Sequence, residues 1–217
     1  MEGMMNRVFG WAIAALLLAT PGALAQNAGK QFNVGTLNGT TYTNSYFGMT
    51  LKFPAAWKLL ADQKKKEMAD SGAKKLGENI DAETQRAAEE ALRTTTFNLL
   101  TLIKYGPTQQ PEANIVIAAE RLPEAMTSDA YLTILHDLTK KDRSVVDLSD
   151  VKSETISKRP YAVFLQKVNN GGTIVQQKYH AYVDGGYALA IIMTFTNDSQ
   201  RTEMTRILGS IQFRPGT

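Results

Sequence analysis

The sequence contains no cysteine. Disulfides, thiolate metal sites, cysteine nucleophiles and a lipid anchor on a modified cysteine are therefore excluded, and stability has to come from packing. Histidine is nearly as scarce, with two residues, His136 and His180. A three-ligand zinc site would need both of them plus a carboxylate, and no H-E-x-x-H pattern exists to supply it. His136 falls away from the apolar stripe of its expected helix, and His180 shares a strand face with Gln176, Lys178 and Tyr182, so both read as exposed polar residues. There is no phosphate-binding G-x-x-x-x-G-K loop and no G-x-G-x-x-G after a strand. Ser71 precedes Gly72 in a helical setting and lacks the G-x-S-x-G turn of a hydrolase nucleophile. An excess of one charge is also missing: 24 Lys and Arg against 21 Asp and Glu give a net +3. The basic run Lys64-Lys65-Lys66 lies in a stretch, Ala61 to Arg93, that holds seven basic and eight acidic residues. It reads as a solvated helix face, and no nucleic-acid partner is expected.

What is present begins with an address. Arg7 precedes the apolar run Val8 to Leu18, Pro21 and Gly22 interrupt any helix, and Ala23-Leu24-Ala25 places small residues before Gln26. This three-part pattern predicts a signal peptide over residues 1–25 with cleavage at the A-x-A site. A spanning helix needs about twenty apolar residues, roughly twice this run, so no membrane anchor is expected in the mature chain. The roughly 190 residues left are enough for one domain with a substantial core. Absence of cysteine favours a bacterial periplasmic or secreted protein over a disulfide-stapled module.

Along the chain, residues 26–41 are rich in Gly, Asn and Thr and read as a flexible leader, with a single domain expected over residues 42–217. Phe47, Met49, Leu51 and Phe53 alternate with smaller or polar neighbours, which predicts a strand ended by Pro54. A helical stretch is expected from Trp57, followed by a charged helical insertion at about 61–93 built of Ala, Lys, Glu and Gln. Two strands follow, one through Phe97 to Ile103 and its return through Asn114 to Leu122. A helix is expected from Ser128 or Asp129 to about Lys141. A polar connection holding Asp142, Asp147 and Asp150 comes next. These carboxylates and Glu154 lack the Asp-x-Asp-x-Asp-Gly calcium loop and read as solvated. Three strands, Tyr161 to Val168, Thr173 to Val183 and Tyr187 to Thr196, are joined by Asn169-Asn170-Gly171-Gly172 and Asp184-Gly185-Gly186, turns suited to positive φ. Asn197 caps a last helix with Gln200 in its third position, Gly209 stops it, and Ile211 and Phe213 allow a final short strand.

Runs of strands punctuated by helices without regular alternation predict an α+β fold: a curved antiparallel β-sheet of about six strands flanked by helices, an α/β/α sandwich. Two segments carry a family resemblance. The stretch YTNSYFGMTLKFPAAW, Tyr42 to Trp57, and the pair YHAYVDGGYALAIIMTF, Tyr179 to Phe195, and ILGSIQF, Ile207 to Phe213, resemble the PsbP-like superfamily. They bracket nearly all of the mature chain. The resemblance implies the same curved sheet and mainly non-catalytic members whose common theme is protein binding. It carries over no functional residues, because the motifs consist of core and turn positions.

The expected function is an exported, non-enzymatic protein-binding module of the bacterial periplasm or cell envelope, with no catalytic, cofactor-binding or metal residues and no cofactor. Its expected partner is another envelope or secreted protein. Two alternatives stand beside it. One is a carrier of a small apolar ligand or lipid held between the sheet and the 61–93 region. The other is a hydrolase using His180 with a nearby carboxylate.

Overall fold

A computed structural model describes residues 31–60, 95–108 and 111–214. The expected signal peptide at 1–25 and the charged helical insertion at 61–93, with Ser71 and Lys64 to Lys66, lie outside the described residues. In chain order, β1 (Thr36–Asn38), β2 (Thr41–Asn44), β3 (Met49–Lys52) and β4 (Trp57–Leu59) precede the long β5 (Thr96–Tyr105) and β6 (Pro111–Arg121). Helix α1 (Ser128–Thr139) leads to β7 (Val145–Leu148) and β8 (Lys152–Ile156). The meander β9 (Arg159–Asn170), β10 (Thr173–Asp184) and β11 (Tyr187–Phe195) is followed by α2 (Asp198–Gly209) and β12 (Gln212–Phe213).

The large sheet has eight strands rather than the expected six or so, in the order β4-β5-β6-β11-β10-β9-β7, with β8 also on β9. Both short strands lie along one edge of β9: β8 opposite Arg159 to Val163, and β7 opposite Gln166 to Val168. Every pairing is antiparallel. A second, four-stranded sheet, β1-β2-β3-β12, unites the start of the domain with its end.

Strand alternation divides the side chains of the large sheet between two buried faces. One face presents Tyr161, Val163, Leu189, Ile191, Met193 and Phe195, which pack with the small sheet and with Met204, Ile207 and Leu208 of α2. The other presents Ala118, Ala162, Ala181 and Ala188 beside Phe164, Tyr179 and Ile192, and α1 sets Tyr131, Leu132 and Leu135 against it. Small residues let the helix backbone approach the sheet, and each large side chain buried is worth about 2 to 3 kcal/mol of transfer free energy. The sheet is thus covered on both sides, as a sandwich requires.

The hairpin turns are as the sequence indicates: Gly171 and Gly172 have φ of 62° and 91°, and Gly185 and Gly186 have 58° and 81°. The cap of α2 also holds, with Asn197 Oδ1 accepting from Gln200 N at 3.0 Å, while Gln200 Oε1 in return accepts from Thr196 N at 2.8 Å. Other expectations need correction. Order begins before Tyr42: β1 pairs β2, and Phe32 stacks on Tyr187 at 4.6 Å between centroids and meets Phe97 at 4.5 Å, so residues 32–41 are not a flexible leader. Trp57 opens a strand, not a helix, because its neighbours pair with β5. The polar connection after α1 contains β7 and β8. Helix α1 is capped by Thr127, whose Oγ1 accepts from Ala130 N at 3.1 Å. Gly209 is the last residue of α2 rather than its stop, since the cap is Ser210 in right-handed helical geometry.

One buried contact ties α1 to the sheet. Tyr131, fully buried, donates its hydroxyl to Glu120 Oε2 at 2.8 Å, and Glu120 is itself only 2% exposed. Burial, and next the nearby Glu120 charge, hold the Tyr131 hydroxyl far above its ordinary pKa, so it remains a donor. Tyr131→Phe keeps the packing and removes the donor from a buried carboxyl, which is expected to cost about 2 kcal/mol in urea unfolding. A loss under a few tenths would show that Glu120 is satisfied without it.

Candidate functional site

Both histidines are buried, against the expectation that they are exposed. His136 is 7% exposed because α1 turns it inward: its Nε2 lies 3.1 Å from the Ser149 carbonyl and its ring meets Phe164 edge-on at 5.5 Å. His180 is 2% exposed, flanked by Val163 of β9 and Ile191 of β11, with Nδ1 3.3 Å from the Ile191 carbonyl. Desolvation, reinforced by the Lys178 charge, lowers its pKa to about 4. At neutral pH it is an uncharged core residue whose Nδ1 meets a backbone carbonyl rather than a carboxylate that could orient a base.

The acidic residues after α1 disperse. Asp142 accepts from the backbone and hydroxyl of Ser144 at 2.8 and 2.7 Å, Asp147 pairs with Lys167 at 2.8 Å, and Glu154 pairs with Lys178. Among the described residues, no group of three or more His, Asp or Glu side chains could hold a metal ion.

What the fold assembles instead lies beside α2. The helix packs on β11 and β3, and beside it the same face of β9 and β10 carries Leu165 and Lys178, both half-buried. A groove of about 560 Å³ results. Leu165, half-buried, forms its floor above the fully buried Val163 and Phe195; Arg201, Thr205 and Arg206 of α2 form one wall, and Lys152 and Glu154 of β8 the other. Lys178 rises from the floor, and its Nζ is held by both carboxylate oxygens of Glu154, at 2.8 and 2.7 Å. Four cations against one carboxylate line this space. Arg201 also reaches Asp198 at 3.1 Å outside it, and the Arg206 charge helps to lower the pKa of Glu203, so Lys152 contributes the least compensated charge.

On the other side of α2 a larger depression of about 700 Å³ is charge-balanced, with Lys52 and Arg206 against Asp198 and Glu203. Glu203 is committed there to structure. It accepts from Trp57 Nε1 at 2.9 Å and pairs with the Lys104 ammonium. Burial would raise its pKa, but the bonds to Lys104 and Trp57 together outweigh burial and hold it below the ordinary carboxylate range. Size alone therefore does not mark the site; the excess of one charge beside an apolar floor does.

The sequence reading identified none of the groove's residues as a site. Lys152, Glu154, Lys178 and Arg206 come from three elements spread over more than fifty positions, and only the folded sheet brings them together. The available local signal was the polar alternation Gln176, Lys178, His180 inside a strand.

No protein-family model and no curated protein sequence matches the chain. Three solved structures are similar to it. A Bacteroides thetaiotaomicron protein shares 14% identity over 78% of this chain, with a TM-score of 0.41, and this chain spans 46% of that one, less than half its length. LpqN of Mycobacterium tuberculosis, described as involved in cell envelope biogenesis, shares 12% identity over 77% of this chain and 83% of its own, with a TM-score of 0.44. Cyanobacterial PsbP of Synechocystis shares 10% identity over 86% of this chain and 99% of its own, with a TM-score of 0.47. Each is a distant likeness. At such distance it carries no functional weight, and the site rests on this chain's own residues.

Proposed function

We propose that the chain is an exported, non-enzymatic module that binds another envelope or secreted protein through the groove beside α2. The observation that carries this reading is the groove itself: a depression over the half-buried Leu165, bordered by Lys152, Arg201 and Arg206, with Lys178 within it. A small apolar spot at Leu165 rimmed by charge suits a protein segment, whose side chains use both. Export is read from residues 1–25. Among the described residues no helix is long and apolar enough to cross a membrane.

The alternatives fare less well. A carrier encloses most of its ligand's surface, whereas the groove and the depression behind α2 are both open to solvent. The 61–93 region that a carrier would need lies outside the described residues. A hydrolase built on His180 would have to work from a neutral imidazole 2% exposed in the core. In-cell crosslinking tests the proposal, with a photoreactive residue at Thr205, exposed in the groove, and a control at Thr133, exposed on α1. The expected result is one discrete protein adduct from Thr205 and none from Thr133. Equal adducts at both positions, or none at Thr205, would remove the groove as the binding face.

A further inference from the structure

Resting on that reading, we infer that the groove takes an extended acidic segment of the partner and that Glu154 acts as an internal competitor for Lys178. The charge pattern selects the ligand. The lining holds four cations and one carboxylate, an excess of three positive charges. An incoming carboxylate relieves the mutual repulsion of Lys152, Lys178 and Arg206, and a basic ligand adds to it.

The shape selects the conformation. The groove runs between β8 and α2 over Leu165, the half-buried apolar side chain of its floor. In an extended chain, side chains alternate, so an apolar residue can face Leu165 while its neighbours carry carboxylates toward Lys152 on one wall and Arg206 on the other. A membrane surface is flat and meets rim charges only; it leaves the recessed floor unused.

Glu154 occupies the central position. Both its oxygens hold Lys178 Nζ, at 2.8 and 2.7 Å, and the two side chains are 37% and 24% exposed. The pair is half in water, so its net strength is modest and it can be exchanged. A ligand carboxylate reaching Lys178 must displace Glu154 or share the ammonium with it. Removing the Glu154 charge should therefore tighten binding, an effect opposite in sign to that of removing an ordinary polar contact.

The test uses the full mature chain and fluorescence anisotropy with a labelled pentapeptide, a leucine flanked on each side by two glutamates, beside its lysine counterpart and phosphatidylglycerol vesicles. The glutamate peptide should bind, more weakly as salt rises, and the lysine peptide should not. Lys152→Glu with Arg206→Glu, both at exposed positions, should weaken binding about tenfold or more, and Glu154→Gln should strengthen it about threefold or more. Unchanged thermal melts of these variants would exclude misfolding as the cause. Equal binding of the lysine peptide, no response to the double reversal, or weaker binding by Glu154→Gln would overturn the inference. Vesicle binding that the double reversal abolishes, without any peptide binding, would overturn it in favour of anionic lipid. If the Thr205 adduct survives the double reversal, the protein-binding reading stands and its acidic specificity falls; if the native chain gives no adduct, that reading falls independently of the peptide result.

Discussion

Trp57→Ala is expected to cost about 3 to 5 kcal/mol in urea unfolding, a large part of the total stability of a domain of this size. Trp57 is 2% exposed and sits where three elements meet. Its strand β4 pairs with β5 at Lys104, its ring packs into the first core, and its Nε1 donates to Glu203 of α2 at 2.9 Å. Alanine would leave a cavity that strands pinned on one side by a ladder cannot close, and it would strip one donor from a carboxylate that also holds Lys104. Trp57→Phe separates the two effects: it keeps most of the volume and loses the N–H, for an expected cost of about 1 to 2 kcal/mol. Because Glu203 ties α2 to the sheet edge, Trp57→Ala should also loosen the helix that forms one wall of the groove. A loss below about 1 kcal/mol would mean that β4 is not an integral part of the core.

The parts of this fold that were legible in the sequence are those written in local chemistry. The β9-β10-β11 meander is announced by glycine pairs that supply positive φ at its two turns, and the start of α2 by Asn197 and Gln200. The turn between β8 and β9 has the same left-handed geometry but is built from Ser157 and Lys158, at φ of 50° and 67°, residues that do not signal it. Its cost is offset by a tertiary contact, the Ser157 hydroxyl bonding to the Ile211 carbonyl. Strands β7 and β8 are short, carry Asp147, Lys152 and Glu154, and exist because the long edge of β9 offers them partners. Strand β4 has three residues, too few to show a period. Phe32 could not be assigned to the core without knowing that Tyr46, Phe97 and Tyr187 converge on it. The candidate groove was illegible for the same reason: each of its cations is an ordinary surface residue in its own segment. The histidines show the converse, since polarity in sequence suggested exposure while a central strand and an inward helix face buried them.

Acidification should destabilise the domain through His180 before its shifted carboxylates contribute. The imidazole is buried between β9 and β11, and desolvation, with the Lys178 charge adding to it, lowers the pKa to about 4 from an unfolded value near 6.5. Folding therefore releases the proton that the unfolded chain binds between these values. Above about pH 6.5 both states are neutral and nothing is lost; as pH falls toward 4 the unfolded state alone gains a proton, and stability declines by about 3 kcal/mol in all. Asp137, Asp147 and Glu203 have lowered pKa values for a different reason, their bonds to Lys140, Lys167 and Lys104. Their contributions disappear only below their ordinary carboxylate range, so the span between about pH 6 and 5 isolates the histidine. His180→Leu, similar in bulk and unable to titrate, should flatten the unfolding free energy across that span while the native chain loses about 1 kcal/mol or more over it. The contact with the Ile191 carbonyl is removed at every pH and shifts the whole curve without changing its slope. Equal slopes for the two proteins would place the acid sensitivity elsewhere and return His180 to the exposed, freely protonated state that its strand alternation alone suggests.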